Sequence, residues 1–305
     1  MMKTTIDRRG FLKISSAGTA GMIVLGPLGL TSCADTNRKE FGVGLQLYTI
    51  RDAMGADVPG SLKKVSLLGY RYVELASYSD GKFYGYAPAE FKKMVDDLGM
   101  TVLSSHTQVE AAGITLDNAK IMAEAHAELG VKYCVQPWVE EADRNIESYK
   151  KMIGDWNEVG KIMKNTGIQF GYHNHNFEFE NIDGIIPYYD IFMPEMDADL
   201  ITMEIDLFWA SKAGQDPVEM FNKYPGRFKL FHLKDMHTNE APFFDVTKVD
   251  ISAVGDGVID FKRILAAKEV AGMEHFFVED DNQGNGKPFE ALETSIYNLT
   301  TDILV

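Results

Sequence analysis

Residues 58–77, VPGSLKKVSLLGYRYVELAS, contain the sequence pattern that is most informative about the architecture. Its first eleven residues carry apolar side chains at helical spacing, which predicts an amphipathic helix over 58–68. Gly69 follows, and a glycine placed after a helix accepts the left-handed backbone conformation without a Cβ penalty. The apolar run at 70–76 then has the length and composition of a buried strand. A helix, a glycine and a strand therefore form one structural unit.

The same unit recurs along the chain, with Gly99, Gly130 and Gly167 at equivalent points. Eight strands are predicted, at residues 43–48, 70–76, 101–106, 132–136, 168–173, 200–206, 228–233 and 275–279. Helices are predicted at 58–68, 88–98, 116–129, 146–165, 260–271 and 289–303. This alternation of strands and helices indicates an α/β fold, a single-domain (β/α)8 TIM barrel. In such a barrel, residues 236–254 would be a long loop on the active face.

The amino terminus has the features of an export signal. Asp7, Arg8, Arg9 and Gly10 precede an uncharged, glycine-rich apolar run over 14–30, which is typical of a twin-arginine signal. Leu30-Thr31-Ser32-Cys33 fits a lipobox, so we expect residues 1–32 to be removed and Cys33 to be lipidated. The alternative, a transmembrane anchor, is disfavoured by the short, glycine-rich run. We therefore expect a linker at 33–40, the barrel at 41–305, and a periplasmic lipoprotein that touches the membrane only through its lipid.

The net charge restricts the possible binding partners of the protein. The net charge is −15, and loss of residues 1–32, with four cationic side chains and one aspartate (+3), leaves −18. Such acidity argues against nucleic-acid and anionic-lipid partners.

The sequence contains two cysteines. If Cys33 is acylated, Cys134 is the only other cysteine and no intramolecular disulfide forms. Cys134 lies on a predicted buried strand, where we expect it to be inert.

Four apolar strands finish on residues that bind metals. His173 and His175 lie in YHNH, His232 lies in FHLKD, and Asp206 and Glu279 end the sixth and eighth strands. The carboxyl ends of barrel strands meet at one face, where two carboxylates and one or two imidazoles would form a site for Mn²⁺, Co²⁺, Mg²⁺ or Zn²⁺. The remaining histidines are expected to have structural roles: His126 in packing or at the surface, and His237 and His275 in a loop and at a strand start.

Further polar and aromatic residues occupy the same strand ends. His106 and Lys234 are candidates for proton transfer there, and Glu204 shares the strand face of Asp206 as a partner of the site or a core ion pair. Trp209 is interpreted either as a wall for a sugar ring or as ordinary core packing. The predicted substrate-binding residues are Gln46, Tyr48, Glu74, Gln136, Trp209 and Asp281.

Seven segments carry a resemblance to a known superfamily. They are GLQLYTIRD, YVELAS, YHNH, EIDLFWA, FHLKD, GDGVIDF and FVEDD, and together they resemble the xylose-isomerase-like barrels. The resemblance implies a metal held by an acid on the fifth strand and by Asp206, His232 and Glu279 on the next three. His173 stands where many epimerases have glutamate, so it is either a ligand of altered charge or an acid or base. Mn²⁺ is the ion we expect.

The Tyr-His-x-His segment is similar to that of inosose dehydratases, which eliminate a group β to a carbonyl. This resemblance implies a lyase in which His175 removes the α-proton and Lys234 or His106 protonates the leaving group. Export and the lack of a glycine-rich phosphate loop favour a neutral carbohydrate, and similar exported enzymes imply a 3-keto-glycoside. The alternatives are an aldose-ketose isomerase or epimerase and a non-catalytic sugar-binding lipoprotein. A nucleic-acid substrate is disfavoured by the acidic chain. The oligomeric state is left open.

Overall fold

The computed structural model describes residues 42–107 and 113–305. The predicted signal, Cys33 and the predicted linker lie outside the described residues. The strands, in chain order, are β1 Gly44–Gln46, β2 Tyr72–Leu75, β3 Thr101–His106, β4 Tyr133–Gln136, β5 Gln169–His173, β6 Ile201–Asp206, β7 Phe228–Leu233, β8 Asp235–Met236, β9 Ile251–Ser252 and β10 His275–Val278. Strands β1–β7 and β10 form a closed parallel barrel in which each strand pairs with the next and β10 pairs with β1. The predicted (β/α)8 barrel is confirmed.

Helices follow the strands on the outside of the barrel. They are α1 Arg51–Ala56, α2 Val58–Leu68, α3 Pro88–Asp96, α4 Ala119–Leu129, α5 Ile146–Asn165, α6 Met193–Glu195, α7 Leu207–Lys212, α8 Pro217–Lys223, α9 Phe261–Ala266, α10 Lys268–Ala271, α11 Gln283–Gly286 and α12 Pro288–Asn298. Short 3₁₀ or π turns lie at Leu47–Ile50, Glu141–Asp143, Phe177–Phe179, Tyr188–Phe192 and Leu299–Ile303. In the part of the chain that the structure describes, the helices are too short or too polar to cross a bilayer.

The predicted helix boundaries differ in accuracy for local reasons. Helices α2 and α5 match their predictions to the residue, and both begin after a side chain that caps a backbone amide, Asp57 and Asn145. The predicted helix at 260–271 was wrong in its continuity, because it divides at Ala267 into α9 and α10. Helices α7 and α8 were missed, since α7 has six residues and is buried on nearly every side, so no amphipathic stripe marks it.

Barrel closure depends on a close approach between β1 and β10. Gly44 pairs with Phe277, and a Cβ on Gly44 would lie 2.6 Å from the Phe276 carbonyl oxygen. Only a hydrogen atom fits at this position without a backbone shift. A small apolar cluster inside the barrel then forms the floor below the polar strand ends, comprising Leu103, Tyr133, Val135, Leu230 and Phe277. The polar strand ends therefore lie above a layer of packed apolar side chains.

The predicted long loop after β7 is framed by a short strand pair. Strands β8 and β9 form a two-stranded antiparallel ladder, and the Phe243 carbonyl oxygen in the segment between them accepts a hydrogen bond from Asn176, which follows β5. Asp235 holds the base of this segment, because its buried carboxylate accepts hydrogen bonds from the backbone amides of Met236, Gly255, Gly257 and Ile259 at 2.8–3.1 Å. A Cβ on Gly257 would lie 2.3 Å from Asp235 Oδ1, so this contact requires glycine. We call residues 237–250 the cap segment. The backbone on both sides of it is held by the Asp235 carboxylate.

Candidate metal centre and cavity

The carboxyl ends of the barrel strands bring three imidazoles and four carboxylates together. All of these side chains are buried: Glu74 on β2, His106 on β3, His173 on β5, Glu204 and Asp206 on β6, His232 on β7 and Glu279 after β10. The register explains their proximity, because His173 is the cross-strand partner of Glu204 and Asp206 is the partner of His232. Residues two apart on β6 and β7 point to the same side, towards the barrel interior.

The upper part of this cluster has the donor set of a metal site. His173, Asp206, His232 and Glu279 each offer one donor atom, and these atoms lie within 4.8 Å of one another. Asp206 Oδ2 is buried and accepts no well-aligned hydrogen bond, although Lys234 Nζ lies 3.0 Å from it. Two nitrogen and two carboxylate donors fit a divalent transition metal. The cluster could therefore hold a metal ion, and the role of each residue as a ligand remains a prediction.

Below these four residues lies a second group of contacts, which was predicted only in part from the sequence. Glu204 Oε2 lies 2.5 Å from His106 Nε2, 3.1 Å from His173 Nδ1 and 3.3 Å from His232 Nε2. Glu74 Oε2 lies 2.7 Å from His232 Nε2. The proposal that Glu204 is a partner of the site is therefore supported by contact, and its three imidazole neighbours were not anticipated.

These contacts set the protonation of the histidines in opposite directions. Burial lowers the pKa of His173 to about 4, an effect that its hydrogen bond to Glu204 only partly offsets. Burial also acts against a charge on His232, but the surrounding glutamates raise the pKa of His232 well above its usual value. The pKa of His106 is raised in the same way by Glu74 and Glu204. At neutral pH His173 is therefore neutral, whereas the neighbouring glutamates favour the charged forms of His232 and His106.

Lys234 places an ammonium group among the carboxylates of the site. Its Nζ lies 2.8 Å from Glu279 Oε2, 3.0 Å from Asp206 Oδ2 and 2.8 Å from Asp281 Oδ2. Burial disfavours the ammonium, but the three carboxylates raise the pKa of Lys234 well above its usual range. Lys234 thus stays charged and partly balances the negative charge of the cluster.

A cavity of about 720 Å³ opens above the cluster. Its wall includes His106, His173, His175, Trp209, Lys234, Glu279 and Asp281, and Tyr48 lies at its rim. Val246 and Val249 from the cap segment also line it, as do Tyr78 and Trp138, which the sequence analysis did not single out. Such concave sites with aromatic walls and a few convergent polar groups are typical of small-molecule binding.

Aromatic rings surround His175 on the cavity wall. The His175 ring lies 4.7 Å from the Trp138 ring at 87° and 5.4 Å from the Trp209 ring. Its Nδ1 is buried and accepts or donates no hydrogen bond within the described residues. Burial, His173 and Lys234 lower the pKa of His175 well below its usual value. His175 is therefore a neutral imidazole facing the cavity, and Trp209 both packs in the core and lines the wall.

Three of the predicted substrate-binding residues lie elsewhere. Gln46, Glu74 and Gln136 are buried and do not line the cavity. Gln46 Nε2 donates to Glu74 at 2.8 Å, and the Gln136 amide bonds the Ile114 nitrogen and the Trp138 carbonyl oxygen. The amides of Gln46 and Gln136 are bonded within the protein, whereas Glu74 Oε1 is buried without a hydrogen-bond partner among the described residues. All three side chains lie behind the cavity wall, and their contact with substrate stays a prediction.

Other predicted residues lie where their pattern indicated. His126 is fully buried and bonds Thr107 Oγ1 at 2.8 Å and the Met122 carbonyl oxygen at 2.7 Å, so it is a packing residue. His275 begins β10 and His237 lies in the loop after β8. Cys134 is buried, and burial raises the pKa of its thiol to about 12, which is consistent with an unreactive side chain.

A closed parallel barrel with a buried cluster of imidazoles and carboxylates at its carboxyl face defines the class of protein: a (β/α)8 barrel with a candidate metal centre. The chain belongs to the Xylose isomerase-like TIM barrel family, whose sequence profile matches residues 62–293. It is 29% identical over 156 residues to an inosose dehydratase of Geobacillus thermodenitrificans and 28% identical over 163 residues to one of Lacticaseibacillus casei. These matches cover 47% and 50% of this chain, and 51% and 54% of the relatives. The chain thus spans about half the length of these relatives.

Solved structures show the same fold over more of the chain. A sugar phosphate isomerase/epimerase from Parabacteroides distasonis ATCC 8503 is 29% identical, with a TM-score of 0.74 over 90% of this chain and 99% of that one. The IOLI protein with a bound zinc atom aligns with a TM-score of 0.68 over 86% of this chain and 98% of that one, at 18% identity. The second likeness is one of fold alone.

Proposed function

We propose that this protein is a divalent-metal-dependent lyase that removes a proton α to the carbonyl of a keto-sugar and eliminates the group β to it. The observation that carries the proposal is the donor group of His173, Asp206, His232 and Glu279 at the base of a cavity whose wall presents the neutral imidazole of His175. Mn²⁺ is the ion we propose, and Co²⁺, Mg²⁺ and Zn²⁺ suit the same donors.

A divalent ion held there would supply a Lewis acid for the keto oxygen of the substrate. The side chains of the protein supply the proton transfers. His175 is neutral and has no internal partner at Nδ1, so it can accept the α-proton. The Lys234 ammonium lies beside the cluster and stabilises negative charge that develops on the substrate.

The structure favours His106 over Lys234 as the proton donor to the leaving group. Lys234 is held by three carboxylates, and its pKa is raised well above its usual range, so its proton is retained. His106 lines the cavity, and Glu74 and Glu204 raise its pKa, which favours the imidazolium form that can donate a proton. His106 is therefore the acid that we propose.

For a 3-keto-glycoside the atoms balance without another reactant. The proton on C2 moves to His175, and the C2–H electron pair forms the C1–C2 double bond. The bond between C1 and the glycosidic oxygen breaks, and that oxygen keeps the electron pair and takes a proton from His106. The products are an unsaturated keto-sugar and the free aglycone alcohol. The ketone must already be present, so an oxidation of the glycoside precedes this reaction.

The charge of the cavity supports an uncharged sugar. Of the described residues that line the cavity, Lys234 is the one lysine or arginine, and its ammonium already forms ion pairs with three carboxylates. Glu140, Glu279 and Asp281 add negative charge to the wall. A phosphate group would meet this acidic surface with no unpaired lysine or arginine among the described lining residues, so a neutral glycoside is favoured.

An isomerase or epimerase is the second candidate. The Parabacteroides distasonis structure that carries that name is similar over 90% of this chain, and the reaction needs the same proton abstraction. The two reactions differ in the fate of the intermediate, because an isomerase returns the proton to carbon and expels no group. The matches to inosose dehydratases, whose name denotes loss of water, favour elimination.

We also propose that the protein works outside the cytoplasm. The basis is the sequence of residues 7–33, with its arginine pair, apolar run and lipobox. Lipidation at Cys33 would attach the barrel to the membrane and leave the cavity open to carbohydrates that reach the periplasm.

The deciding experiment uses a 3-keto-glucoside in deuterated water with the Mn²⁺-loaded protein, followed by removal of the metal and NMR of the products. Release of aglycone by the wild type, and its loss in the His232→Ala variant, would establish the lyase. Deuterium at C2 without release would establish an isomerase or epimerase instead. Sugar binding that persists in His232→Ala and Glu279→Gln without turnover would identify a non-catalytic sugar-binding protein. The exposed His237→Ala variant is the control.

A further inference from the structure

The two histidines of the candidate metal centre face it with different ring nitrogens. His173 directs Nε2 towards Asp206 Oδ2, at 3.8 Å, and His232 directs Nδ1 towards Glu279 Oε2, at 2.8 Å. The opposite nitrogen of each ring points down, to Glu204 at 3.1 Å and to Glu74 at 2.7 Å. Each imidazole therefore lies between one carboxylate of the centre and one carboxylate below it.

We propose that Glu204 is a positioning residue that fixes His173 as the Nδ1–H tautomer and so leaves Nε2 free to bind the metal. A carboxylate accepts hydrogen bonds only, so its partner nitrogen must carry the proton. A histidine that binds a metal does so as a neutral imidazole, which holds one proton in total. The proton on Nδ1 therefore leaves a lone pair on Nε2. This inference rests on the proposed function, because it concerns the ligand set of that metal.

The surroundings of Glu204 make the arrangement rigid. Glu204 is fully buried, and it is the cross-strand partner of His173, so the backbone sets their separation. The second bond of Glu204 Oε2, to His106 Nε2 at 2.5 Å, prevents the carboxylate from turning away. Carboxylates that accept the outer N–H of a metal-binding histidine orient the ring and raise its basicity, and losing one weakens metal binding by about 10- to 100-fold.

His232 provides an independent instance of the same geometry. Glu74, which accepts from His232 Nε2, is itself held by Gln46 Nε2 at 2.8 Å. Gln46 and Glu74 are register partners on β1 and β2, and in the barrel order β10 and β1 lie between β2 and the strand of His232. The buried positions of Gln46 and Glu74 away from the cavity follow from this supporting role.

The test needs no sugar. Long-range ¹H–¹⁵N NMR of the metal-free protein, labelled with ¹⁵N-histidine, is expected to show His173 protonated at Nδ1 and bare at Nε2. A wild-type spectrum with the proton on Nε2 overturns the proposal. In Glu204→Met, which keeps the volume and removes the acceptor, we expect a mixture of tautomers and Mn²⁺ binding that is about 10- to 100-fold weaker by chelator competition. A single Nδ1–H tautomer with wild-type affinity in this variant also overturns it.

A second variant keeps the test decisive if Glu204→Met does not fold. Glu204→Gln preserves the shape and removes the charge, so we expect Mn²⁺ affinity to fall by about 10-fold, and unchanged affinity contradicts the proposal. The control is Glu178→Gln, since Glu178 is also a fully buried carboxylate but bonds Tyr172 Oη and the His175 backbone amide rather than a ring nitrogen. It should leave the His173 tautomer and the affinity unchanged. A wild type that binds no divalent metal overturns the metal-enzyme proposal as well, whereas a wrong tautomer overturns this inference alone.

Discussion

The ammonium of Lys234 lies 2.8 Å from Glu279 Oε2 inside the barrel, with neither side chain more than 5% exposed. Lys234 is at the same time within 3.0 Å of Asp206 Oδ2. Two residues that could bind a metal therefore share a permanent protein cation. This relationship makes the charge balance of the centre depend on Lys234 whenever the metal is absent.

Lys234→Met should consequently destabilise the metal-free protein by about 3–5 kcal/mol, since it leaves buried carboxylates without their cation. Mn²⁺ should recover part of this loss, because the ion supplies positive charge to the same oxygens. Urea unfolding with and without Mn²⁺ measures both effects. Lys92→Met is the control: Lys92 pairs with Asp96 on the surface, where such a pair contributes under about 1 kcal/mol. Equal stability of the two variants would contradict the interpretation.

Glu279→Gln should weaken Mn²⁺ binding by more than about 100-fold, beyond the range expected for a residue that only supports a ligand. Glutamine keeps the shape of the side chain but removes the charge and one good donor oxygen. Metal content after dialysis, measured by mass spectrometry, checks this outcome. Glu140→Gln is the matched control, since Glu140 lines the cavity outside the donor group and its loss should not change retention. Full metal content in Glu279→Gln would remove Glu279 from the ligand set.

Acid should destabilise the barrel partly through His126. Burial lowers the pKa of His126 to about 4 in the folded protein, whereas an unfolded histidine titrates near 6.5. Between pH 6.5 and 4 the unfolded state binds a proton that the folded state does not, so stability falls as the pH falls. The contribution reaches about 3 kcal/mol at pH 4. In His126→Gln the free energy of unfolding should fall less steeply over this interval, and an unchanged slope would refute the assignment.

Gly44→Ala tests the closure of the barrel. The added Cβ would meet the Phe276 carbonyl oxygen at 2.6 Å, so strands β1 and β10 must separate, at an expected loss of about 1–3 kcal/mol. Thermal unfolding measures the change. Gly154→Ala, on the exposed side of α5 with no atom near the new Cβ, should be neutral or stabilising. If both variants unfolded at the same temperature, strands β1 and β10 would not pack as closely at Gly44 as the structure shows.

Cys33→Ser should abolish lipid attachment and release the barrel into the soluble periplasmic fraction. The expectation follows from the lipobox at residues 30–33. Fractionation of cells and incorporation of labelled palmitate check it. An Arg8→Lys, Arg9→Lys double variant should in turn keep the precursor in the cytoplasm. Membrane retention of Cys33→Ser would favour an uncleaved apolar anchor in its place.

Elements with a complete local signal could be predicted from the sequence. Helix α5 was predicted at both ends because helical periodicity over 146–165 is followed by a glycine at 167, and the structure adds an Asn145 cap at its start. The strand ends at Asp206, His232 and Glu279 were informative because charged groups are costly at the end of an apolar strand unless they have a partner. Helix α7 has no such signal, since its burial comes from the barrel and the cap segment around it.

The residues that contact the candidate metal ligands from below were harder to predict, for a geometric reason. Alternation along a strand tells which residues share a face, but not how far along the barrel axis each one lies. Glu204 and Asp206 share a face, yet one contacts three imidazoles and the other faces the centre. The stagger between neighbouring strands decides this, as the register shift at Met203 and Glu204 against β7 shows. Such offsets depend on the whole barrel.

The anchoring of the cap segment by Asp235 has an evolutionary consequence. Asp235, on β8 just after the barrel strand β7, bonds the backbone on both sides of residues 237–250, and the hydrophobic side chains that the segment contributes to the cavity, Val246 and Val249, lie between those points. A segment held in this way can be lengthened, shortened or exchanged while the strand ends below it stay in place. The rim of the cavity can thus diversify by gene-level insertion and substitution, independently of the chemistry beneath it.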